Sequence, residues 1–358
     1  MNNIKYAILA NPGHNRVYFD NSVKLSLSEI TLAATKTSST INNICYEKIA
    51  NISYITFDCN EYFNENDLKI ISSLSFFYAL FTSLDNFKSL IPVAKVEYES
   101  LNPSISSILK YQGKTNEIFT KMMINCAAFS LDDYNANKKL NLFDPVCGKG
   151  TTLFEGAVLG FDVAGCEISQ KSINETKVFF KKFLENDKIK HTLTREGYNV
   201  KSAGAAIKGD IFKFNFSSNK DEFKKGENIS SLMLCDSNSF YCDKIFKSNS
   251  FDLIIGDLPY GIVHSNVSQK EQKGNKNGKS PTRNPFEMIE NCLNPWQKVI
   301  KKGGVMALSW NTFVLAKKEL VKIIEAAGFE VLIDEKYCKF EHRVDQAILR
   351  DIVFAKKI

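Results

Sequence analysis

Residues 141–156 read NLFDPVCGKGTTLFEG. Leu142 and Phe143 lead into Asp144-Pro145 and a tight turn, Cys147-Gly148-Lys149-Gly150. Leu153, Phe154, Ala157 and Val158 then recur at helical spacing, so the stretch predicts a strand, a glycine-rich turn and a helix N-terminus. Glycines in such a turn let backbone approach a nucleotide-like ligand closely. Two better-known turns fail on spacing. A dinucleotide fingerprint needs a third glycine where Leu153 stands. A P-loop needs glycine where Phe143 stands, and Ser or Thr where Gly150 follows Lys149.

Working outward, the alternation of strands and helices from about residue 106 implies βαβ units and a largely parallel sheet. Before the turn, 110–130 reads as a turn and then a helix bearing Phe119, Met122, Met123, Cys126 and Phe129 on one face. After it, FDVAGC (161–166) predicts a second strand ending at Glu167, followed by a helix at about 169–186. Further strands are expected at 231–235, 252–256 and 305–310, and the last segments, FEVLIDEKY and AILRDIVFAKK, look like an antiparallel pair closing the sheet. Residues 1–105 form a separate region, read as a small α+β domain. Its strands are expected at 5–10, 52–59 and 92–98, with helices near 23–36 and 64–84, and the apolar run 70–84 reads as a core helix too short to span a bilayer. Two segments break the rhythm. Residues 187–230 are a polar insertion that reads as solvated, with nine Lys/Arg against five Asp/Glu from 188 onward. Residues 265–284 are a low-complexity, mobile basic loop with five positive charges against Glu271, placed to hold phosphates.

The second informative stretch is FDLIIGDLPYG, 251–261, in which a buried-type strand delivers Asp257-Leu258-Pro259-Tyr260 to its end. An exocyclic base amine is a weak nucleophile because its lone pair is delocalised into the ring. Acceptors at its hydrogens, here the Asp257 carboxylate and the Leu258 carbonyl, would favour pyramidalisation and steady the developing positive charge. Pro259 would fix the backbone, and Tyr260 would offer a flat face to an unstacked base. The bland alternative is a strand-terminal turn. For a nucleoside-bearing ligand, Asp144 suits an amine or the ordering of the turn, and Glu167 suits ribose hydroxyls. Asp236 and Asp210 both end short apolar runs, and Asp236 is preferred as the adenine contact because it lies 21 residues before Asp257 (257 − 236).

The pair of motifs resembles the S-adenosylmethionine-dependent amino-methyltransferases. Over residues 110–358 the chain looks like the Rossmann-like (class I) RNA methyltransferase family related to the THUMP-associated guanine-N2 tRNA methyltransferases. DPVCGKGT is similar to its donor motif, DLPYG to its catalytic motif, and QGKTNE (112–117) to the segment leading into the helix before its first strand. The resemblance implies a mostly parallel seven-stranded sheet with a C-terminal antiparallel strand. It implies S-adenosyl-L-methionine as methyl donor, held by Thr115, Asn116, Asp144, Cys147, Gly148, Gly150, Glu167 and Asp236, with no metal. It also implies catalysis by Asp257, Leu258, Pro259 and Tyr260 on an exocyclic base amine of RNA, guanine N2 in tRNA first and rRNA next. His342 and Arg343 would sit on a rim loop, with a structural or a substrate-contacting role. The chain departs from the pattern at Lys149, where a small polar residue is usual, and in the 187–230 insertion; residues 1–105 show no clear THUMP pattern. The rival readings are a DNA adenine-N6 or cytosine-N4 methyltransferase and a non-catalytic RNA-binding protein.

Composition bounds these readings. The 358 residues are 44% hydrophobic and 24% charged, which suits a globular protein with room for two domains. The net charge of +6 is compatible with a polyanionic partner. Nine cysteines stand singly with no C-x-x-C pair, which argues for reduced thiols in a cytoplasm and against a disulfide framework or zinc site. The first residues lack a secretory pattern, and no membrane partner is expected.

Overall fold

The computed structural model of the protein describes residues 3–11, 16–108, 114–202, 205–259 and 285–358. Five strands near the N-terminus, β1 (Ile4–Ala10), β2 (Ile41–Ile49), β3 (Ile52–Cys59), β4 (Phe77–Ser83) and β5 (Ile91–Val93), form an antiparallel sheet in the order β2-β3-β1-β4-β5. Helices Arg16–Ala33 and Glu65–Ser72 accompany it.

The expected core helix over 70–84 is a correction. The helix ends at Ser72, where the Ser73 amide closes onto the carbonyls of Lys69 and Ile70, and Phe77–Ser83 is a strand paired with β1. Aromatic and β-branched residues dominate 76–82, and they fit a pleated half-buried surface better than a helix face. The strand expected at 92–98 shrinks to Ile91–Val93, and β2 has no counterpart among the expected strands. Most of its residues are half-buried or exposed, as on an edge strand, so it lacks the apolar signature of a core strand.

The rest of the chain builds the larger sheet from β6 (Asn141–Asp144), β7 (Asp162–Glu167), β8 (Lys190–Ser202), β9 (Ala205–Ser217), β10 (Ser230–Asp236), β11 (Phe251–Asp257), β12 (Ile300–Asn311), β13 (Phe329–Val331), β14 (His342–Arg343) and β15 (Leu349–Lys357). Seven of these run β10-β7-β6-β11-β12-β15-β13, with β15 antiparallel to both of its neighbours in that order. The β6–β7, β7–β10, β6–β11 and β11–β12 pairs are parallel. This is the expected Rossmann-like methyltransferase architecture, a mostly parallel sheet closed by a reversed C-terminal strand. Strand order reverses between β6 and β11, and in such sheets ligands bind outside the strand ends at that switch point. Asp144 and Asp257 end those two strands.

Two features of the polar insertion differ from expectation. Strands β8 and β9, residues 190–202 and 205–217, pair antiparallel at 13 positions, and β9 adds to the sheet beside β10. The cause is a period-two apolar row: Phe214 and Phe216 pack edge-on against Phe180 of helix Gln170–Asn186, and Lys177 of that helix lies over the Phe212 ring. The charge count hid this alternation. The N-terminal region packs onto the larger sheet's helix Glu117–Phe129 through a continuous core. Buried Glu29 there accepts from Ser75 N–H (2.9 Å) and Asn125 Nδ2 (2.7 Å), while burial pushes its carboxyl up.

Candidate functional site

Residues 145–150 leave β6 as a turn that folds back onto β7. The Cys147 amide donates to the Cys166 carbonyl (3.0 Å) and the Gly150 amide to the Cys147 carbonyl (2.7 Å). Gly148 and Gly150 both take positive φ, +52° and +87°, which L side chains rarely adopt. They are not equivalent. A Cβ on Gly150 would lie 3.0 Å from the Thr176 methyl, so that glycine makes room for the neighbouring helix. A Cβ on Gly148 would meet nothing within 4 Å, so that glycine borders open space at the strand ends. Cys147 itself is buried, and a Cβ on Gly165 would come within 2.6 Å of its Cβ. Its side chain therefore anchors the turn on β7, and the expectation that Cys147 lines a ligand rests on its backbone. Lys149, the unusual residue of the turn, is tied to Glu175 at 2.7 Å.

Carboxylates converge on this edge. Asp144 is buried, accepts the Val146 amide (2.9 Å), and is pushed up to about 7. Burial is the main cause, with Asp257 and Glu167 adding repulsion and the donors from Val146 and Thr152 opposing it. Glu167 accepts the amides of Gly148 (3.0 Å) and Ser169 (2.7 Å), so it shapes the turn from the end of β7; burial raises its carboxyl too. Asp236 is the register partner of Glu167 on the adjacent strand, and its carboxyl is raised by burial. Asp210 lies on β9, where Arg195 at 2.7 Å holds its carboxyl below the usual range. The geometry thus sets Asp236 beside Glu167 and commits Asp210 to an ion pair within the hairpin.

Asp257 closes the other side of the switch point. Its two carboxylate oxygens accept from different hydroxyls, Ser309 Oγ at the end of β12 and Thr115 Oγ1. Leu258 is buried, and its amide donates to the Ser309 carbonyl (2.9 Å), so the backbone entering the motif is pinned to β12. Pro259 follows, exposed. Tyr260 and the basic loop 265–284 lie outside the described residues. Thr115 and Asn116, expected near the donor, have structural commitments. Thr115 bonds Asp257, and Asn116 caps helix Glu117–Phe129 by accepting the Phe119 amide (3.1 Å).

Sequence reasoning missed two side chains that hold these groups. Ser309, fully buried in an apolar strand, is one; a hydroxyl there needs a partner, which is the signal that could have found it. The second is Tyr198 of the hairpin, whose hydroxyl donates to the Asp236 carbonyl (2.8 Å) across Gly209, a residue with no room for a Cβ. Arg350 is buried over the Phe119 ring at 4.4 Å, next to His342 in the strand register. His342 is also a correction: it is buried beside Phe119, not on a rim, while Arg343 is exposed. Its Nδ1 pairs with the Phe340 carbonyl (2.8 Å), and burial pushes the ring down to about 4, so it is neutral near pH 7. Among the described residues no group of His, Cys, Asp or Glu could hold a metal ion, and no helix is long and apolar enough to cross a membrane.

Comparison with known proteins bears on the same segment. No curated protein matches the chain. Among solved structures, the chain is similar to the precorrin-6y C5,15-methyltransferase from Geobacter metallireducens GS-15 (13% identity, 70% of this chain and 94% of that one, TM-score 0.38). It is similar to TehB from Haemophilus influenzae (10% identity, 87% and 73%, TM-score 0.36) and to an rRNA methylase from Streptococcus thermophilus (11% identity, 69% and 99%, TM-score 0.33). Likenesses this distant carry nothing about substrate. Residues 123–275 match the family model UPF0020: RMKL-like, methyltransferase domain. The span holding the glycine turn, Glu167, Asp236 and Asp257 is therefore similar to a methyltransferase domain.

Proposed function

We propose that the protein is an S-adenosylmethionine-dependent methyltransferase acting on an exocyclic base amine of RNA, guanine N2 in tRNA first. The observation that carries the reading is the pairing of two strand ends across the switch point: an open glycine turn after β6 and a doubly bonded Asp257 at the end of β11. The residues fit the donor. It carries a sulfonium and an ammonium, and the site offers Asp144, Glu167 and Asp236, whose carboxyls are raised and so gain from a cationic ligand. Open space beside Gly148 suits close backbone contact. Glu167 and Asp236, side by side, suit the ribose and the adenine.

The bound donor supplies an already activated methyl group, so the chain's work is to align, orient and exclude water. Asp257 accepts the amine hydrogens as positive charge develops, and Leu258 and Pro259 set the backbone beside it. Tyr260 completes this reading as the stacking face. The net charge of +6 and the five Lys/Arg of 265–284 favour a polyanionic substrate.

A pH dependence follows from Asp144. With its carboxyl at about 7, S-adenosylhomocysteine affinity should rise roughly tenfold from pH 6 to pH 8 as the carboxylate that accepts the ammonium forms. The sign for stability is opposite. A carboxyl raised above its free value stabilises the unliganded fold fully only below its unfolded pKa of about 4, and this contribution is lost as pH climbs through about 7. Calorimetry across that range checks the first trend, and Asp144→Asn should flatten both. The function is tested by mass spectrometry of nucleosides from tRNA, rRNA and DNA of cells with and without the gene. Loss of N2-methylguanosine from tRNA supports the proposal. Loss of a methylated DNA base points to the DNA rival, and unchanged pools point to a binding protein.

A further inference from the structure

We propose that Ser309 and Thr115 form a hydroxyl clamp that positions the Asp257 carboxylate for the incoming amine, an inference that rests on the functional reading above. The two hydroxyls reach different oxygens of one carboxylate from different elements. Ser309 lies at the end of β12, directly opposite Asp257 in the strand register. Ser309 is completely buried in this strand, where an unsatisfied donor would be costly, and Asp257 is its partner. Thr115 approaches from the segment before helix Glu117–Phe129. The Asn116 cap holds that segment, with Lys114 bonded to Glu117 at 3.2 Å, and the helix packs against β11 and β12.

The consequence is orientational. A free aspartate at a strand end rotates about two side-chain bonds, whereas one gripped at both oxygens presents its remaining lone pairs in a fixed direction. A carboxylate offers about four lone-pair sites, and the two hydroxyls take up one on each oxygen. Ser309 and Thr115 are therefore positioning residues, and Asp257 is the group that meets the substrate. This also reassigns Thr115, expected beside the donor, to the acceptor side of the site.

The test uses full-length protein, tritiated S-adenosylmethionine, and tRNA purified from cells lacking the gene. Ser309→Ala and Thr115→Val should each lower kcat by about 10-fold or more, with KM for tRNA and the S-adenosylhomocysteine Kd within about threefold of wild type. Ser309→Thr, which restores a hydroxyl, should recover most of the lost kcat. The double variant should approach the rate of Asp257→Ala. Melting temperatures confirm that the variants are folded. Wild-type kcat in both single variants overturns the clamp, as does a Thr115→Val protein that loses donor affinity with kcat unchanged. A wild-type protein that binds no S-adenosylhomocysteine and labels no RNA overturns the functional reading, and the clamp with it.

Discussion

Asp257→Ala is expected to cut methyl transfer by roughly 10²-fold or more while leaving S-adenosylhomocysteine affinity within a few-fold of wild type. The split follows from position. Asp257 ends β11, the strand across the switch point from β6 and its Gly148 turn, and its carboxylate accepts the hydroxyls of Ser309 and Thr115. Losing one acceptor where charge develops typically costs about 3–4 kcal/mol of transition-state stabilisation. Single-turnover assays separate this from substrate binding. Wild-type rates in the folded variant would reduce 257–259 to a strand-terminal turn.

The second large effect belongs to Gly148. Gly148→Val should weaken S-adenosylhomocysteine binding by roughly 100-fold, about 2.7 kcal/mol. Two features act together. The backbone sits at φ +52°, where a β-branched residue is strained, and the direction a side chain would take is open space at the strand ends. The branched side chain would fill the volume a bound donor needs. Stability loss is a separate quantity, read by thermal denaturation, and Gly226 gives the control. It too has a positive φ (+76°) with nothing near its Cβ, but it caps a short helix on the insertion far along the chain from the turn. Gly226→Val should carry comparable backbone strain without the loss of donor affinity. Unchanged calorimetry in a folded Gly148→Val protein would remove the donor from the turn.

The elements that frame this candidate site are legible in the sequence, for physical reasons. The strand, turn and helix at 141–156 and the strand ending at Asp257 are short local units whose apolar runs and glycines specify them without distant help. Their convergence also follows from the sequence, because right-handed crossovers bring successive parallel strand ends to one edge. What was illegible depends on long-range partners. The β8–β9 pair buries Phe214 and Phe216 against Phe180, and its polar residues read as solvent-facing until that aromatic packing is known. Strand β4 exists because β1 pairs with it, while the Ile70–Leu74 run beside it carries a helical period that overran its true end. Thr115 and Ser309 are 194 positions apart (309 − 115), and only the fold shows that they share one carboxylate. His342 reads as a polar rim residue, but Phe119 and Arg350 enclose it.

The most direct measurement is transfer by the purified protein itself. It would be incubated with tRNA from cells lacking the gene and with S-adenosylmethionine carrying a trideuterated methyl group, and the RNA then digested to nucleosides for mass spectrometry. The expected result is a trideuterated N2-methylguanosine that is absent when Asp257→Ala replaces the wild type. Label on no tRNA nucleoside, with the wild-type protein folded and donor present, would contradict the account.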